Sequence, residues 1–120
     1  MPIKERRKFM RFTTELKAEY WAKGPSMAKG QAQVKDFSRA GVGILLSDSV
    51  KEGEHVDLTL RVPGDNVPIF ATGEVAWAEA ERTREGIEAG LRLLSIKPLD
   101  LARLLDFVYS RWLGAVRETL

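Results

Sequence analysis

Cysteine is missing from this chain of 120 residues, and histidine occurs only once, as His55. Without thiols the chain can form neither a disulfide framework nor a thiolate metal site. The acidic residues lack metal-ligand spacing, and there is no nucleophile–base pair and no glycine-rich phosphate loop. These absences predict a protein that holds no metal or cofactor and is not an enzyme.

Long apolar runs are also missing. No stretch approaches the length of a membrane-spanning helix, and the first residues are too highly charged for a signal peptide. The lack of cysteine is compatible with a reducing compartment. We therefore expect a cytoplasmic protein that does not insert into a membrane.

Positive charge is concentrated at the start of the chain. Residues 1–11 contain one acid, Glu5, and five basic residues: Lys4, Arg6, Arg7, Lys8 and Arg11. The rest of the chain has 14 basic and 16 acidic residues, so a basic segment precedes a mildly acidic body. Such a segment attracts a small polyanion, a nucleic acid or an anionic membrane, and charge alone does not choose among them.

Most of the chain is typical of short β-strands. Apolar and polar residues alternate in "ELKAEYW" and "HVDLTLRV", and further extended runs are "QAQVKDFS", "GVGILLS", "PIFATGEVAWAEA" and "IEAGLRLLSI". Turn signals such as "PGDN" separate them, which favours an antiparallel sheet or closed barrel. Gly73 predicts a bulge or a close backbone approach. Trp77, Leu91 and Leu93 are expected in the core.

The last segment has helical spacing instead. Its apolar residues recur every three or four positions: Leu101, Leu104, Leu105, Val108, Trp112 and Val116. Asp100 is suited to be an N-cap or first-turn acid. We expect one amphipathic helix packed on its own domain, and the width of the stripe leaves a homodimer or a target protein as the alternative.

Two short motifs contain the residues suited to a ligand. Arg7 and Arg11 are four residues apart ahead of the first strand, and Asp36, Ser38 and Gly41 follow in "DFSRAGVG". A carboxylate and a hydroxyl suit the N–H donors of a guanine edge. An arginine fork suits guanine O6 and N7 or phosphate oxygens, and its flat face can stack on a base. On an extended chain the side chains of Asp36 and Ser38 point the same way.

In this order, the two motifs resemble those of the PilZ domain family of bacterial cyclic di-GMP receptors. The resemblance implies a six-stranded antiparallel β-barrel with a C-terminal amphipathic α-helix. It divides the chain into a flexible basic arm at residues 1–12, a barrel at 13–97 and the helix at 98–120.

The resemblance also implies roles for the ligand-binding residues. Arg7 and Arg11 would contact guanine bases and phosphates, Asp36 and Ser38 would hydrogen-bond the ligand, and Gly41 would permit the turn. Arg6, which makes two consecutive arginines, implies a stacked pair of messenger molecules.

The expected function is therefore a cyclic di-GMP receptor that signals to an unknown protein partner. Two alternatives remain at this stage: an adaptor of the same fold that works by protein contact without ligand, and a barrel that binds nucleic acid through its basic segment. The acidic body and the scarcity of stacking platforms argue against nucleic acid.

Overall fold

The computed structural model describes residues 12–119, which form six β-strands followed by one α-helix. The strands have these bounds: β1 Phe12–Ala22, β2 Lys29–Phe37, β3 Gly41–Leu46, β4 His55–Arg61, β5 Ile69–Ala78 and β6 Ile87–Ile96. The helix, α1, is Pro98–Thr119, with Asp100 in its first turn as predicted. The six strand-like runs of the sequence thus correspond to the six observed strands.

The strands close into one barrel in the order β1-β2-β3-β6-β5-β4, and every neighbouring pair is antiparallel. The predicted fold class, a six-stranded antiparallel barrel with a C-terminal helix, is confirmed. Each strand has a hydrogen-bonded neighbour on both sides, so the barrel presents no free strand edge.

The core lies inside the barrel, where alternate residues of each strand point. On β1 the inward residues include Leu16, Ala18 and Tyr20, and on β4 they include Val56 and Leu58, all buried. The clean alternation of these two strands is the pattern that predicted them, because inward positions are apolar and outward positions are polar.

Irregularities in the strand register interrupt this alternation. The pairing shifts by one residue between Thr13 and Leu16 on β1, and between Val34 and Asp36 on β2. The pairing of β5 with β6 shifts once at Gly73, where a bulge or close approach was expected. A Cβ atom on Gly73 would lie 3.1 Å from the Arg92 carbonyl oxygen, so the close backbone approach occurs there, whereas the extra residue of this irregularity lies on β6.

We call one end of the barrel the motif end, because the β2–β3 turn with the predicted motif lies there. The start of β1, the β2–β3 turn, the β4–β5 loop and the junction between β6 and α1 all lie there, because neighbouring strands run in opposite directions. The helix is fastened to this end through Arg103, whose guanidinium donates to Asp65, Asp100 and the carbonyl of Val67.

The helix packs on its own barrel, which was the first of the two arrangements expected for it. Leu104 and Val108 are fully buried in the barrel core cluster, whereas Leu101 and Leu105 are partly buried against it. Trp112 is exposed rather than part of the buried stripe. Within residues 12–119, no helix is both long enough and apolar enough to cross a membrane.

A buried carboxylate connects two loops at the end opposite to the motif end. Glu54 is only 5% exposed. Its carboxylate accepts the N–H of Ser26 at 3.0 Å, the hydroxyl of Ser26 at 2.8 Å and the N–H of Lys51. Burial raises the pKa of Glu54, but these hydrogen bonds outweigh it and the pKa is lowered from 4.5. The ionised form therefore stabilises the fold.

Glu54→Gln is expected to lower the free energy of unfolding by about 2 kcal/mol at neutral pH, since hydrogen bonds to a charged group contribute roughly 1.5–3 kcal/mol. In either amide orientation the glutamine NH2 meets a backbone N–H donor. The contribution of Glu54 is complete above the ordinary carboxyl pKa of 4.5 and is lost as the pH falls through the lowered folded-state pKa.

Denaturant titrations of both proteins between neutral and acidic pH test this prediction. The difference between them should shrink below pH 4.5. Glu52→Gln, at an exposed neighbouring position, is the control and should change stability little at any pH. A difference that persists unchanged into acid would contradict an ionised Glu54.

Candidate functional site

The β2–β3 hairpin contains three of the six predicted ligand-binding residues. Asp36 is the penultimate residue of β2, Ser38 lies in the turn and Gly41 begins β3. The predicted arginines lie outside the described residues: Arg6, Arg7 and Arg11. The geometry of the site is therefore built from the hairpin and its neighbouring strands.

Asp36 faces outward because of a bulge in β2. Val34 pairs with Ile44 and Asp36 pairs with Gly43, so β2 has one more residue than β3 between these pairs. Val34 and Phe37 both point into the core. The extra residue thus turns Asp36 to the outer surface without moving the core residues on either side of it.

The carboxylate of Asp36 lies directly over Gly43. A Cβ atom at Gly43 would be 2.8 Å from Cγ and 2.9 Å from Oδ1 of Asp36, closer than side-chain contacts allow. Only glycine leaves this space free. The half-buried carboxylate therefore packs directly on the backbone of β3 at Gly43.

Ser38 is part of the turn that follows β2. Its N–H donates to the Gly41 carbonyl at 2.9 Å, and its Oγ accepts the N–H groups of Ala40 and Gly41, each at 3.2 Å. These bonds occupy both acceptor positions of the hydroxyl. The hydroxyl itself donates to the Gly41 carbonyl oxygen over a long Oγ–O distance of 3.5 Å, and Ser38 is only 3% exposed.

This geometry corrects one sequence-based expectation. β2 ends at Phe37, and Ser38 is buried in the turn. The extended conformation assumed for Asp36 and Ser38 therefore ends before Ser38. The two residues therefore differ: Asp36 faces outward as an acceptor, whereas the hydroxyl of Ser38 is engaged within the turn.

Asp36 begins a row of paired residues that crosses four strands. Asp36 pairs with Gly43, Gly43 with Gly90, and Gly90 with Trp77. A Cβ atom on Gly90 would lie 2.6 Å from Cε2 and 2.8 Å from Cδ1 of Trp77, so the indole lies across this glycine. The row is a strip with two glycines in its middle, of which Gly43 is covered by the Asp36 carboxylate and Gly90 by the Trp77 indole.

The prediction that Trp77 is a core residue is wrong. Its side chain is 44% exposed, whereas Leu91 is buried and Leu93 is partly buried against the core, as expected. Val75 pairs with Leu91 and Trp77 with Gly90, so β5 has an extra residue between these pairs. This bulge reverses the alternation, and Ala78 packs against the core instead.

An ion-paired arginine lies beside this strip. Arg92 pairs with Gly41 on one side and with Glu74 on the other. Its guanidinium donates to the Glu74 carboxylate, whose other oxygen is 3.7 Å from Nε2 of His55. Arg92 was not singled out from the sequence, because nothing in "AGLRL" shows that it would lie opposite the motif glycine.

The described residues therefore place a carboxylate acceptor, an exposed indole and an ion-paired guanidinium around two glycines. Such a set suits a flat heterocycle with N–H donors attached to a negatively charged group. Among residues 12–119, no group of three His, Asp or Glu side chains could hold a metal ion.

Sequence comparison gives one family. Residues 5–110 match the model of the PilZ domain. A comparison with curated proteins finds no match.

Solved structures of two proteins share the fold. The inhibitor of motility MotI/DgrA of Bacillus subtilis has 21% identity and a TM-score of 0.72, covering 92% of this chain and 53% of that chain. The PilZ domain with c-di-GMP of YcgR from Escherichia coli has 15% identity and a TM-score of 0.68, covering 96% of this chain and 97% of that chain. The present chain thus spans about half of the MotI chain. At these identities the likeness establishes the fold.

Proposed function

This chain belongs to the PilZ domain family, and from that premise we propose that it is a cytoplasmic cyclic di-GMP receptor that acts by changing its contacts with a partner protein. The family resemblance inferred from the two motifs is confirmed by the match over residues 5–110. PilZ domains are binding modules, and in this proposal the chain binds and signals without catalysing a reaction.

The observation that carries the proposal is the row formed by Asp36, Gly43, Gly90 and Trp77. A guanine that donates its N1 and N2 hydrogens to the Asp36 carboxylate would lie against this row, in which Asp36 covers Gly43 and the Trp77 indole covers Gly90. The exposed indole of Trp77 then offers a stacking surface at the far end. In the proposed complex the Ser38 hydroxyl exchanges its 3.5 Å bond to the Gly41 carbonyl for one to a phosphate or purine acceptor.

The arginines can reach the same place by chain connectivity. Phe12 pairs with Phe37 and Thr13 with Asp36, so the described chain enters the barrel beside the carboxylate. Arg7 is five residues before Phe12 in the sequence, and five residues span at most about 17 Å. In the proposed complex, Arg7 and Arg11 bind guanine O6 and N7 and the phosphates, and Arg6 supports a stacked ligand pair.

Calorimetric titration with cyclic di-GMP tests the proposal. We expect saturable binding with about two ligands per chain. Arg7→Ala should weaken binding by roughly tenfold or more, because a bidentate arginine–guanine contact contributes about 1–3 kcal/mol of discrimination. Arg6→Leu should lower the stoichiometry towards one.

GTP and a single-stranded oligonucleotide serve as competitor ligands in the same titration. If cyclic di-GMP does not bind, the adaptor that works by protein contact alone becomes the favoured function. Stronger, salt-dependent binding of the oligonucleotide would favour the nucleic-acid alternative. One ligand per unmodified chain would refute the role given to Arg6.

A further inference from the structure

A groove of about 890 Å³ crosses the outer wall of the barrel, and Asp36 is not among the residues that line it. It follows a second row of paired residues. Lys29 pairs with Trp21, Trp21 with Asp57, Asp57 with Thr72, and Thr72 with Ser95. The groove thus extends over β2, β1, β4, β5 and the end of β6.

Two large aromatic side chains line this groove while remaining open to solvent. Trp21 is 54% exposed on β1, and Phe70 is 63% exposed on β5. Both strands flank β4, where Trp21 pairs with Asp57 and Phe70 pairs with Thr59. Exposed aromatic residues gathered in a groove are typical of binding surfaces, and tryptophan is enriched among residues that dominate binding energy.

The acidic residues of the groove are already neutralised within the chain. Asp57 has Lys23 at 2.8 Å, and the Lys23 ammonium also lies 5.0 Å from the centre of the Trp21 ring. Glu19 has Arg61 at 3.1 Å. A cationic ligand would have to displace these internal cations before it could pair with either carboxylate.

Unlike the acidic residues, the lysines at the two ends of the groove are not neutralised by an ion pair within the described residues. Lys29 lines one end of the groove and Lys97 lines the other, both exposed. Neither has an ion-pair partner within residues 12–119. The electrostatic complement of the groove is therefore a ligand with negative charge at both ends and apolar surface in the middle.

The size of the groove limits that ligand. Four strand spacings separate β2 from β6 along the row, at most about 19 Å measured along the curved wall, so a ligand of about six extended residues that follows this curve reaches both ends. Because the barrel is closed, a ligand cannot add as a further strand. Recognition must depend on side chains.

We propose that this groove binds a short segment of a partner protein, with apolar side chains against Trp21 and Phe70 and an acidic residue near each of Lys29 and Lys97. The proposal does not depend on messenger binding. It assigns to the outer wall of the barrel a protein-binding surface separate from the motif end.

Titration of the full chain with the peptide acetyl-Glu-Asp-Leu-Leu-Asp-Glu-amide tests this surface by amide NMR. The largest shifts should fall on residues 19–21, 57–59 and 70–72. The double variant Lys29→Glu/Lys97→Glu should weaken binding by roughly tenfold or more. The control Arg84→Glu, an exposed charge reversal outside the groove, should bind like the unmodified chain.

A second pair of variants tests the aromatic contribution. Trp21→Ala/Phe70→Ala should abolish the shifts, whereas Met27→Ala, an exposed apolar residue outside the groove, should retain them. The proposal fails if the acidic peptide does not bind at millimolar concentration or if Arg84→Glu weakens it equally. It also fails if oligothymidylate or the lysine counterpart of the peptide shifts the groove amides more strongly.

Discussion

Asp36→Ala is expected to weaken cyclic di-GMP binding by about a hundredfold or more while the protein stays folded. The carboxylate lies on the outer face over Gly43, so its loss opens no cavity in the core. In the proposed complex it accepts two hydrogen bonds from one guanine. Hydrogen bonds to a charged group contribute about 1.5–3 kcal/mol each, and each 1.4 kcal/mol is a factor of ten in affinity.

Two companion variants sharpen this measurement. Gly43→Ala leaves Asp36 in the sequence but inserts a Cβ atom where its carboxylate lies, so binding should fall with little change in stability. Glu88→Ala removes an exposed carboxylate on β6 and should bind normally. Calorimetry and thermal unfolding of all three variants provide the test. Normal affinity in both Asp36→Ala and Gly43→Ala would refute the site.

Gly86→Ala is expected to lower the free energy of unfolding by about 3 kcal/mol or more, and the unfolding midpoint by roughly 10 °C. Gly86 precedes β6 with a φ of +133°, a conformation that side chains rarely adopt. A Cβ atom there would also lie 2.5 Å from the carbonyl oxygen of Leu46. Since that neighbour is backbone of β3, relief requires the strand itself to move.

Gly53→Ala is the matched control for this prediction. Gly53 also has a positive φ, +89°, but a Cβ atom there would meet nothing within 4 Å. Gly53→Ala should lower the free energy of unfolding only by the cost of a side chain at positive φ, about 1–2 kcal/mol. Thermal unfolding of both variants separates the cost of a positive φ from the cost of the steric clash with Leu46. Equal losses would show that the contact with Leu46 is relieved without cost.

The strands and the helix could be predicted from the sequence because most of them keep their characteristic period. β4 alternates throughout, and Leu104 and Val108 recur at helical spacing on the buried side. The alternation predicted the wrong side for Trp77, because one extra residue in β5 exchanges the inward-facing and outward-facing positions that follow it. A bulge is set by the pairing of two strands, and neither strand alone reveals it.

The candidate site could be predicted in its residue types but not in their geometry. Asp36 and Ser38 were recognised as a pair, yet a bulge orients one and a turn engages the other. Trp77 and Arg92 join the same surface only through strand pairing. Glu54 was overlooked for a similar reason, since its partners Ser26 and Lys51 belong to loops that meet only in the folded barrel.

Closure of the barrel has a consequence for how a signal can leave it. A strand with a neighbour on both sides cannot slide without breaking two ladders at once. Binding at Asp36 would then leave the strand pairing of the barrel wall unchanged. β1 begins and β6 ends at the same end of the barrel, so an effect of binding at Asp36 would reach the rest of the chain through the two connections made there.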